Sequence, residues 1–88
     1  DFKEKQNNFS ESLRFLQNAL NLAEKYRHTD EMINSNMLLA NYYSRTNQFE
    51  LVVAHAKNAL GIAKQALDYK AITEIEFFLF NLENKKIH

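Results

Sequence analysis

Eighty-eight residues, 45% of them apolar and 25% charged, allow one small globular domain with a thin core. Eleven basic residues balance eleven acidic ones and neither sign forms a long run, which argues against a nucleic-acid or anionic-membrane surface as the main business of the chain. No apolar run approaches the ~20 residues of a membrane span, and with no cysteine there are neither disulfides nor thiolate metal sites.

The opening "DFKEKQNNF" does not have the form of a signal peptide. It starts in mid-unit, so we expect a piece of a longer protein with a stub at 1–6. The lack of cysteine suits a reducing compartment, and a cytoplasmic location is expected. The first helix is predicted near 8–27, where Phe9, Leu13, Leu16, Leu20 and Ala23 recur at three- and four-residue steps. The second is predicted near 30–45, apolar at Met32, Ile33, Met37, Leu38, Leu39, Ala40, Tyr42 and Tyr43, with Asp30 placed to cap it. The polar "RTNQ" ends it around Thr46 and Asn47. The third, near 48–66, carries Phe49, Val52 or Val53, Ala56, Ala59 or Leu60, and Ala63. The fourth, near 69–86, follows Asp68 as its expected cap. Proline is absent and Gly61 is the single glycine, so nothing favours strands or tight turns. The fold class is all-α, a single domain over 1–88.

The first and third helices align. Asn7, Phe9, Asn18, Ala19, Leu20 and Ala23 recur, identical, at Asn47, Phe49, Asn58, Ala59, Leu60 and Ala63, always at an offset of 40. A fixed offset that carries identical residues is an internal repeat, and a helical repeat of this size points to a solenoid of helix pairs. Small residues such as Ala40 and Ala59 let helix backbones approach closely, while Tyr43 and Phe49 fill the gaps.

Over "LLANYYSRTNQFELVVAHAKNALGIAK" the chain resembles the tetratricopeptide repeat family. Leu39, Ala40 and Tyr43 match the family's leucine, small residue and aromatic on its first helix; Asn47 and Phe49 match the turn and the aromatic after it. Ala56, Ala59 and Leu60 match the second helix, as Phe9, Ala19 and Leu20 do for the preceding repeat. Asn36 stands where the family has tryptophan and Lys64 where it has a closing proline, and the period of 40 exceeds the usual ~34. The longer repeat is similar to the subgroup of bacterial peptide sensors and signalling adaptors. The resemblance implies antiparallel helix pairs in a right-handed stack of about two repeats.

It also implies a concave peptide-binding face on the first helix of each pair, with side chains one and five positions after the small residue facing in. Those are Asn41 and Arg45, with Asn81 and Lys85 forty residues later, and Asp1 and Lys5 in the stub; Asn34 extends the row. Asparagine can pair with a peptide backbone, and Lys5, Arg45 and Lys85 form a basic row suited to a carboxylate.

"FFLF" at 77–80 is apolar on every side of a helix. In the repeat register Leu79 and Phe80 fall on the side that a following helix would cover, and Phe77 and Phe78 near the concave side. All four are expected at an interface.

Catalytic chemistry finds no foothold. His28, His55 and His88 have no carboxylate or thiol at ligand spacing, Glu74 and Glu76 point in different directions, and there is no phosphate-cradling glycine loop. Asn8 to Ser10 fits a glycosylation sequon, but Asn8 reads as a helix start. The expected function is a protein- or peptide-binding scaffold in a larger regulatory protein, with no enzymatic role and no cofactor. The alternatives are an oligomerisation element that pairs through the last helix and part of a bacterial peptide-pheromone-sensing transcriptional regulator.

Overall fold

The computed structural model describes the backbone of residues 2–87 and the side chains of residues 10–84. It is all-α among those residues, with α1 Phe2–Tyr26, α2 Thr29–Arg45, α3 Phe49–Gln65 and α4 Tyr69–Ile87. Each helix packs chiefly on its neighbour in sequence, α2 most extensively on α3. The result is a slab of 44 × 39 × 17 Å. No helix among the described residues is long and apolar enough to cross a membrane.

The stub expected at 1–6 is not a separate element. Residues 2–6 continue α1, because "FKEKQ" contains no breaker and adds good helix formers to the amphipathic run. Asp1 and the side chains of Lys5, Asn8 and Phe9 lie outside the described residues. The backbone of Lys5 belongs to α1, so it cannot sit on a separate first helix ahead of it.

The three turns share one geometry. Arg27, Asn47 and Leu67 have φ of 55°, 60° and 56°, the left-handed region, at a spacing of twenty residues. After each, the next N–H reaches back to a helix carbonyl: His28 to Ala23, Gln48 to Tyr43 and Asp68 to Ala63, each at 2.9 Å. This is the Schellman closure, and it satisfies carbonyls that a helix end leaves free. The same turn then opens the next helix, because the carbonyls of His28, Gln48 and Asp68 accept from Met32, Val52 and Ile72.

Side-chain capping follows the turn's register. Asp68 falls on the capping position, and its Oδ1 accepts from the Ala71 N–H at 3.2 Å. Asp30 does not cap α2. The helix starts at Thr29 after His28, which leaves Asp30 inside the first turn, where its charge still favours the helix end.

Two clusters form the core. One joins Ile33, Ala56, Ala59, Ala63 and Ile75; the other joins Leu39, Ala40, Tyr43, Val52 and Leu82. Phe78 packs against both. Alanines at 56, 59 and 63 run down one face of α3 and are fully covered, so that helix lies between its neighbours with little side chain in the way.

Candidate functional site

α2 and α4 do not pack directly along their length; an open groove of about 520 Å³ separates them. Asp30, Ile33, Asn34 and Met37 line it from α2, at the spacing that puts four side chains on one face of a helix. Lys70, Ala71, Glu74, Ile75 and Phe78 line it from α4, and Asp68 from the turn before it. Ile33 and Ile75 are buried and form the floor, with Met37 and Phe78 half-buried beside them. Asp30, Asn34, Lys70 and Glu74 are exposed on the rim. The one salt-bridge contact among the described residues is His28 with Glu31, at 3.2 Å and charged only when the ring is protonated. A carboxylate thus does stand one turn from His28, contrary to expectation, but none of the groove's charged groups is paired with a described neighbour.

A second groove of about 580 Å³ lies between α1 and α2, lined by Glu11, Ser12, Phe15, Leu16, Leu38, Asn41, Tyr42 and Arg45. Asn41 and Arg45 are thus brought together, as their four-residue spacing requires, but they face α1 instead of α4. Asn34 lies seven residues before Asn41 on the same exposed stripe of α2, and it borders the α4 groove. The stripe changes company along its length. Asn81 is exposed on α4, seven residues beyond Glu74, and lines neither groove. The side chain of Lys85 is outside the described residues. Of the described members of the expected row, then, only Asn34 borders the groove between α2 and α4.

The "FFLF" girdle divides cleanly. Phe78 and Leu79 pack against the first cluster, while Phe77 and Phe80 are 66% and 61% exposed. Leu79 is therefore half-buried against the chain's own core, where the register argument left it to a following helix. The buried face of α4 is centred on Ile75 and Leu82, and 78 and 79 flank it while 77 and 80 lie opposite. Phe77 is not on the groove side with Phe78 for the same reason.

A polar network sits apart from both grooves, between α2 and α3. Asn36, 2% exposed, donates from Nδ2 to the Met32 carbonyl at 2.9 Å. Its Oδ1 is left as acceptor, so the His55 Nδ1, 3.0 Å away, carries the proton. The imidazole also stacks on Tyr43, with ring centroids 5.6 Å apart and planes 14° from parallel. Burial pushes the His55 pKa down. Among the described residues no group of three histidines, cysteines or carboxylates is placed to hold a metal ion.

The acidic rim was not foreseen from the sequence. Its only signal there is that Asp30 and Glu74, on α2 and α4, and Asp68, just before α4, stand at three- and four-residue steps from the apolar residues of those helices. In comparisons with known proteins no family model matches the chain, and neither a curated protein nor a solved structure matches it significantly.

Proposed function

We propose that the chain is a tetratricopeptide-like module, a right-handed stack of about two helix pairs, that holds a protein or peptide segment between α2 and α4. The observation that supports this is the groove itself, an apolar floor of Ile33 and Ile75 under a rim of unpaired polar groups. A segment laid there takes apolar surface out of water, and Asn34 offers it both a donor and an acceptor. Such a module works in the cytoplasm through the protein it belongs to. In a bacterial peptide-responsive transcriptional regulator, for instance, it would report the ligand to an output domain.

The test is selection of displayed random peptides on the purified chain, followed by titration of the selected peptides against single variants. Asn34→Ala should weaken binding by about 1–2 kcal/mol with helicity unchanged. Asn41→Ala and Asn81→Ala distinguish the neighbouring groove and the far end of α4. Absence of any selected binder would remove the reading.

A second reading is favoured by the exposure of Phe77 and Phe80, which share a face of α4. Apolar patches of this kind mark interfaces, and the face would pair copies of the chain. A concentration-dependent dimer that ignores every peptide supports it.

A further inference from the structure

We infer that the segment held between α2 and α4 is cationic, an apolar stretch that carries lysine or arginine; this rests on reading the groove as a peptide site. Three carboxylates border the groove, at Asp30, Asp68 and Glu74, against the single ammonium of Lys70. Asp30 lies in the first turn of α2, and Asp68 directly precedes α4. Each helix start offsets only about half a charge. Asp68 also gives one oxygen to the Ala71 N–H. Glu74 stands in the second turn of α4, past the first turn to which the helix-start charge is confined. Negative charge therefore prevails over an apolar floor, and none of it is cancelled by an ion pair among the described residues.

A cation with a long aliphatic stem fits both features. The stem lies along Met37 and Phe78, and the charged end reaches the rim at Asp30 or Glu74. A carboxylate ligand, which the expected basic row would have favoured, meets like charge here. The α1–α2 groove differs, since Glu11 and Arg45 balance there.

Methyl-labelled methionine gives a two-signal spectrum of the whole chain, because Met32 and Met37 are its only methionines. Met37 lines the groove and Met32 does not. Three blocked peptides serve as probes: alternating leucine and arginine, leucine and glutamate, and leucine and serine. The arginine peptide should move the Met37 signal. It should bind about ten-fold more weakly to the Asp30→Asn/Glu74→Gln double variant, the loss of two exposed ion pairs. Both replaced side chains are exposed and neither has a hydrogen bond, so helicity should stay constant. If the glutamate or serine peptide moves Met37 as effectively, the charge inference fails and the groove remains a peptide site. If none of the three moves Met37, both fail.

Discussion

His55 donates from Nδ1 to the amide oxygen of Asn36 across 3.0 Å, a side-chain hydrogen bond between α3 and α2. The imidazole is held neutral by burial, its pKa pushed below the ordinary value. For a base the sign is definite. Folding favours the neutral ring, so this contribution is complete above the unfolded value of about 6.5 and is lost as pH falls through the lower folded value. Melting of the parent chain and of His55→Gln, followed between pH 7 and 5, should show the steeper fall in the parent. Parallel curves would remove His55 as the source.

Two backbone swaps in opposite directions should both stabilise. Gly61 is in the middle of α3, and a Cβ there would meet nothing within 4 Å. Gly61→Ala should add about 0.5–1 kcal/mol by helix propensity. Leu67, 66% exposed, has φ of 56°, where a side chain is strained. Leu67→Gly should gain about 1 kcal/mol from relief of that strain. Urea unfolding measures both; a loss on Leu67→Gly would show that its side chain contributes more than its backbone costs.

Ala40 is completely covered, in the cluster that includes Tyr43 and Val52. Ala40→Leu should cost about 1–3 kcal/mol by overpacking, a large share of the stability of so small a domain. A variant that melts at the parent temperature would mean the α2–α3 contact can widen freely.

Phe80 stands forty residues after Ala40, yet it is open to water where Ala40 is sealed by α3. Phe80→Glu should leave the helix content of the chain intact and make it more monomeric in sedimentation at several concentrations. A parent chain that is monomeric throughout, with a Glu variant that unfolds, would identify Phe80 as a core residue.

The helices were readable because the apolar spacing from Leu13 to Ala23 and from Phe49 to Ala63 survives any tertiary arrangement. The turns were not. Arg27 and Leu67 carry none of the residue preference that marks a left-handed position, and only Asn47 does. Asp30 and Asp68 look equivalent as caps in the sequence, but the turn register puts His28 on the capping place before α2, two residues ahead of Asp30, and only Asp68 meets a free N–H. The groove was half legible. That Asn34, Asn41 and Arg45 share a stripe follows from spacing alone, whereas which neighbour each one borders depends on how α1 and α4 cross α2. The chemistry of the α4 groove lies in that crossing.

Packing that runs from each helix to the next has a kinetic consequence. Contacts close over short stretches of chain, so little loop entropy opposes folding and the domain belongs among the fast folders. Opening is graded too. α2 and α3 are each held from two sides, whereas α4 rests mainly on α3. Amide exchange should therefore be slowest in α2 and α3 and faster in α4, and a segment bound in the groove would slow α4 most, because it alone gains a second support.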